Sequence, residues 1–303
     1  MTDGSQGREH SQSPEPAKDE VGDLVLTLSC PDRPGIVAAV SQRLFEHRAN
    51  IEESQQFSDH RTGRYFMRVR FATPADGLDL EGWQAEVGSV AADFDMTWEL
   101  RPATSAYRTL VMVSRFGHVL NDLLFRWKSG QVNADIVGIV SNHTDLEPMA
   151  RSYGIPFHHI PVTKETKAEA EAQLRELVAE HDVELITLAR YMQVLSDDLC
   201  RDLGGRVINI HHSFLPSFKG AKPYHQAFAR GVKVIGATAH YVTADLDEGP
   251  IIEQDIHRVD HRMDADDLVA AGEEVESRVF ARAVRWHCES RVILNGDRTV
   301  VFS

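Results

Sequence analysis

Arg108-Thr109-Leu110-Val111-Met112-Val113-Ser114 and Asp135-Ile136-Val137-Gly138-Ile139-Val140-Ser141 are two short, nearly all-apolar runs. Between them, residues 119–128 repeat apolar positions at helical spacing. Apolar run, helix, apolar run describes two parallel strands joined by a crossover. Their continuous apolarity marks strands covered on both faces. The pattern continues with helical stretches at 146–153 and 164–181 and apolar runs at 157–162, 184–189 and 206–210. Such alternation predicts an α/β domain with a doubly wound, mostly parallel sheet. Ligands of these sheets sit beyond the carboxyl ends of the strands. Downstream, 265–288 reads as an amphipathic helix over the sheet and 291–302, with its Asn-Gly turn, as a small hairpin.

Upstream of a linker at 102–107 the pattern changes. Residues 23–29 read as a strand, 31–35 as a Pro/Gly turn, and 36–47 as a helix with Ile36, Val37, Val40, Leu44 and Phe45 on one stripe. Strands at 50–58 and 65–71, a helix at 78–92 and a strand at 95–100 follow. The order βαββαβ predicts a ferredoxin-like unit with an antiparallel sheet. The expected organisation is a disordered tail at 1–22, a small domain at 23–102 and a larger one at 106–303.

Bulk chemistry narrows the function. The 303 residues carry a net charge of -14, which disfavours nucleic acid and anionic membrane surfaces as partners. No apolar run approaches the roughly 18 residues of a membrane span. The first twenty residues lack the apolar core of a secretory signal and the basicity of a transit peptide. Three scattered cysteines, Cys30, Cys200 and Cys288, fit reduced thiols in a cytoplasmic protein.

Two segments concentrate chemistry. Asn209-Ile210-His211-His212-Ser213 follows a buried strand, and alternation sends Asn209 and His211 to one side. An amide donor and an imidazole in one cleft can polarise a carbonyl and move a proton. His240 to Ile252 follows the strand at 234–239 and carries Asp245, Asp247 and Glu248 on a loop ended by Gly249-Pro250. A carboxylate beside an imidazole fixes its orientation, but spacing alone does not choose among the three. Neighbouring histidines, 211 with 212 and 158 with 159, would point apart along a strand and chelate poorly, so no metal is expected.

The segment Asp32-Arg33-Pro34-Gly35-Ile36-Val37, opening a helix in a βαββαβ unit, resembles the ACT domain. That resemblance implies a regulatory ligand at Asp32, Arg33, Gly35 and Ile36, a small metabolite such as methionine or glycine, or else a purely dimerising module. Asn209-x-His211 followed by Asp247-x-Gly249-Pro250-Ile251-Ile252 resembles the formyltransferase fold of the folate enzymes. Residues 141–150, 154–162, 188–196, 209–227 and 236–255 resemble, more closely still, the branch of that family that hydrolyses 10-formyltetrahydrofolate. The resemblance implies catalytic Asn209, His211 and Asp247. It implies a folate slot formed by Leu188, Arg190, Tyr191, Met192, Val194, His240, Val242 and Gly249, with Lys219, Lys222 and Arg230 as candidates for the glutamate tail. It also implies no cofactor, a homo-oligomer, and a role in balancing one-carbon folate pools that feed purine biosynthesis. The alternative within the family is formyl transfer to an amine. The turn at 114–121 has a single glycine followed by His118, a poor cradle for a phosphorylated acceptor, although Arg115 could pair with an anion.

Overall fold

The computed structural model describes residues 22–215 and 223–303. Of the tail expected at 1–22 all but Gly22, and the candidates Lys219 and Lys222, lie outside the described residues.

The first sheet is built by β1 (Asp23–Pro31), β2 (Asn50–Asp59), β3 (Arg64–Ala72) and β4 (Thr97–Pro102), with α1 (Ile36–Glu46) and α2 (Leu80–Phe94) as its helices. Its order is β2-β3-β1-β4 and every pair is antiparallel, the expected ferredoxin-like arrangement. Leu24, Leu26, Leu28 and Cys30 alternate inward from β1 and meet Ile36, Val40 and Leu44 of α1, spaced by four. Trp83 of α2 is fully buried against Phe71 at 5.0 Å between ring centres. Gly35 begins α1 with φ of 101°, a left-handed conformation that an L side chain rarely adopts. Asp79 caps α2 by accepting from the Gly82 backbone N–H at 2.9 Å.

The larger unit runs through β5 (Tyr107–Val113), α3 (His118–Lys128), β6 (Ala134–Ser141), α4 (Glu147–Ser152), β7 (Phe157–His159), α5 (Lys167–Glu180), β8 (Leu185–Leu188), α6 (Asp197–Asp202) and β9 (Val207–His211). It continues with α7 (Pro223–Arg230), β10 (Val234–Tyr241), β11 (Ile251–Arg258), α8 (Ala265–Cys288), β12 (Val292–Asn295) and β13 (Arg298–Val301). The sheet order is β11-β10-β9-β8-β5-β6-β7. The five strands from β9 to β7 are parallel, and β10 and β11 extend the sheet antiparallel. Both faces are covered. Val111 and Val113 of β5 pack with α3 and α8, while Leu110 and Met112 pack with α5 and α6.

Two boundaries differ from the sequence reading. The strand expected at 157–162 stops at His159, and the helix expected from 164 begins at Lys167. The Thr163 and Thr166 hydroxyls explain this. They bond to backbone N–H groups of Glu165, Thr166 and Thr163 and hold a turn in place of both elements.

Polar connections bind the two units. Arg68, in β3, donates to the carbonyls of Glu289 at 3.0 Å and Ser290 at 3.2 Å. Arg291 reaches Glu53 at 3.2 Å, and Asn295 reaches Asp59 at 2.8 Å. Arg101 pairs with Glu184 at 2.5 Å and stacks on the Tyr107 ring at 3.8 Å.

Candidate active site

A cavity of about 220 Å³ opens at the carboxyl ends of β8 and β9 and under the loop between β10 and β11. Asn209, His211, His240 and Asp247 all line it. So do Leu188, Arg190, Tyr191, Met192, Val194 and Val242 from the expected folate slot. His212, Gln193 and Leu246 line it as well.

β9 and β10 pair antiparallel with His240 opposite Asn209, so their side chains share one face. The Asn209 amide lies 3.3 Å from His240 Nε2, and His240 Nδ1 lies 2.9 Å from the Tyr241 carbonyl. A carbonyl can only accept, so His240 Nδ1 donates to Tyr241. His211 Nδ1 sits 3.3 Å from one Asp247 oxygen, and His240 Nε2 sits 3.7 Å from the other. Hydrogen bonds from His211 and then His240 outweigh burial and hold the Asp247 carboxyl well below its ordinary range. It is a carboxylate at neutral pH. Among the described residues His211 Nε2 is buried with no partner, so that nitrogen is open to a ligand.

The loop geometry selects among the three acids. Asp247 takes a left-handed backbone at φ 57°, which turns its side chain to the histidines while Asp245 and Glu248 stay exposed. Gly249 does not line the cavity. A Cβ there would lie 1.8 Å from the Tyr241 carbonyl, so glycine lets the loop close on β10. Tyr241 N–H then bonds to Pro250 O at 2.9 Å.

On the other flank, Arg190 also has positive φ, 65°. Its loop is tied down by Ser114 Oγ, which accepts from Met192 N–H at 2.9 Å and donates to Asn142 Oδ1 at 2.7 Å. Burial pushes the Tyr191 phenol up to about 12.

The arrangement corrects one expectation. His211 and His212 do not point apart; their rings stack at 4.9 Å with 20° between planes. β9 ends at His211, so alternation no longer governs His212. Burial, then the charges of Arg190 and His211, lower His212 to about 4 and keep it neutral. Among the described residues no group of His, Cys, Asp and Glu gathers as a metal site.

A second cluster went unseen in the sequence. Glu276 of α8 is 1% exposed and binds His118 Nε2 at 2.8 Å and the Tyr224 hydroxyl at 2.6 Å, with Arg190 Nε at 3.5 Å. Its signal was a carboxylate on the buried stripe of α8, where Val275, Val279 and Phe280 are apolar. Asp32, Arg33, Gly35 and Ile36 come together at the turn before α1. Ser58 donates to Asp32, Arg33 donates to the Asp93 carbonyl and covers the Phe94 ring at 4.6 Å, and Ile36 is buried.

The formyl transferase family model matches residues 107–284 and the ACT domain model residues 24–80. The formyltetrahydrofolate deformylase of Corynebacterium sp. (strain P-1) is 54% identical over 277 residues, 91% of this chain and 97% of that protein. That of Bacillus subtilis (strain 168) is 49% identical over 92% of this chain and 93% of its own. The chain belongs to the formyltetrahydrofolate deformylase family. A crystal structure of the deformylase from Burkholderia mallei superposes with a TM-score of 0.90 at 52% identity, covering 93% of this chain and 100% of that one. The deformylase family thus accounts for both units, the ACT domain and the formyltransferase fold, in one chain.

Proposed function

We propose that this protein hydrolyses 10-formyltetrahydrofolate to formate and tetrahydrofolate, with Asn209, His211 and Asp247 as its catalytic residues. The observation that carries the chemistry is His211. Its Nδ1 rests on an ionised Asp247 and its Nε2 is buried and unspent beside the Asn209 amide. A formyl oxygen placed there receives donors from His211 and Asn209 as negative charge develops. Asp247 orients the attacking water and accepts its proton as the carbon becomes tetrahedral. A carboxyl held this low is a weak base, so that proton is held briefly and passes to N10, which leaves as the amine. The charge on Asp247 meanwhile supports the imidazolium of His211.

The pterin is read by the 188–194 and 242–247 segments, whose backbone groups and apolar side chains form the cavity wall. Arg230 remains a candidate for the glutamate tail. The reaction drawn uses no metal and no cofactor. The ACT unit binds a small metabolite, methionine or glycine, at Asp32, Arg33, Gly35 and Ile36. The protein acts in the cytoplasm as a homo-oligomer, where it sets the balance of one-carbon folates available to purine synthesis. Among the described residues no helix is long and apolar enough to cross a membrane.

The direct test is formate release from 10-formyltetrahydrofolate by the purified protein without added amine. Steady turnover is expected. No release without an amine, and turnover once one is supplied, would replace hydrolysis by formyl transfer.

A further inference from the structure

The folate reading leaves one approach to the formyl carbon unassigned: the side over the tip of β5, where the chain turns through Phe116, Gly117 and His118 into α3. By the resemblance to the transferases, whose acceptor loop corresponds to the 114–121 turn, an acceptor amine would approach from there. The cavity is bounded on this side by Arg190 and His212. Arg190 is held from behind, with Glu276 at 3.5 Å from Nε and the Phe116 ring 5.2 Å from the guanidinium. Glu276 is itself locked, because both oxygens are engaged, one by His118 and one by Tyr224. Burial alone would raise the Glu276 carboxyl. The His118 hydrogen bond, the Arg190 charge and the Tyr224 hydroxyl outweigh it, so the carboxylate stays ionised opposite Arg190. Tyr224 is wedged against Gly272, where a Cβ would meet the ring at 2.2 Å. The left-handed backbone at Arg190 aims its side chain into this assembly.

We propose that Arg190, backed by Glu276, His118 and Tyr224, is a specificity wall that closes the amine side of the cleft, so that water alone reaches the formyl carbon. An ion pair anchored from three elements resists displacement better than an apolar side chain of the same size. Moving Arg190 would leave a buried carboxylate short of its counter-charge. The inference rests on the hydrolase reading and explains why, in this cleft, an activated formyl group is spent on the smallest nucleophile.

The test measures partition. Wild-type protein, Arg190→Ala, His118→Ala and Arg190→Lys are incubated with 10-formyltetrahydrofolate and glycinamide, and formate and N-formylglycinamide are quantified by mass. In transfer the N10–carbon bond breaks, the carbon–glycinamide nitrogen bond forms, and the proton lost by the amine ends on N10. The two alanine variants are expected to raise the share of formylated amine at least about ten-fold over wild type, the scale of a steric discrimination lost. Arg190→Lys, which keeps charge and reach, stays near wild type. Folded alanine variants with the wild-type share would overturn the proposal. Loss of both products in a folded Arg190→Ala would overturn it too, by making Arg190 part of the chemistry itself. Should Arg190→Ala not fold, His118→Ala carries the test with the same outcomes. Absence of formate from the wild type marks failure of the hydrolase reading instead, and shows in the control before any variant is scored.

Discussion

In the proposed chemistry His211 and Asp247 work as a unit. Among the described residues the carboxylate has no cation nearer than the two imidazoles, and His211 Nε2 has no partner. His211→Ala and Asp247→Asn are each expected to lower the rate of formate release by about 10²–10⁴, the range for a positioned acid–base group. Folate binding, followed by fluorescence titration, should survive both. Wild-type rates in either variant would move the chemistry elsewhere. Two other histidines predict how stability responds to pH. Burial lowers both His212 and His287 to about 4, below the roughly 6.5 of an unfolded chain. Between these values the unfolded state binds more protons, so the stability that comes from burying them neutral is present above about pH 6.5. It drains away as pH falls toward 4. The thermal midpoint should therefore drop between pH 7 and 4.5. A His287→Asn variant, whose amide can still meet the Tyr241 hydroxyl, should show a shallower drop. Parallel curves would refute this account.

Elements with a strong period were legible in the sequence. The helix read at 265–288 is α8, because its long apolar stripe admits only one register. The βαββαβ order and the parallel core of the second sheet follow equally from their alternation. What was not legible has physical reasons. β11 carries Glu253, Asp255 and Arg258 at the sheet edge, so apolar pattern gives little sign of it. α6 is six residues long and depends on the Ser196 cap more than on amphipathicity. In the site, Asn-x-His is a strand-end pattern, whereas spacing could not choose Asp247 from its neighbours; the family resemblance chose it, and the left-handed turn turns it to the histidines. The Glu276 cluster joins residues more than 150 positions apart, which no local window sees. Within α8, Phe280 is fully buried among helix and sheet residues, and Phe280→Ala should cost about 3–5 kcal/mol in urea denaturation. Gly249→Ala at the β10–β11 loop would drive a methyl into a backbone carbonyl and should abolish formate release even in a chain that folds. A fully active alanine variant would show that the loop closes differently.

At the scale of the molecule, the two units meet largely through charged and polar side chains, of which Arg68 also binds backbone carbonyls. The Arg68 side chain is almost wholly buried between Glu53 and the turn after α8. Replacing it by methionine leaves Glu53 and two carbonyls short of a donor. A loss of about 3–5 kcal/mol is expected for such a buried pair, with a single calorimetric transition broadening or splitting in two. An unchanged, single transition would mean that the contact is incidental.

The residues that complete this joint are far apart along the chain. β3 ends at Ala72, whereas Glu289, Arg291 and Asn295 come more than 200 positions later. At about 5–20 residues per second, a ribosome takes roughly 10–40 s to make that interval. For all of that time the first sheet has its own core, but Arg68, Glu53 and Asp59 lack the partners that the C-terminal segment gives them. The nascent small domain therefore waits, folded and charged at its open face, until the last turns of the polypeptide return to cover it.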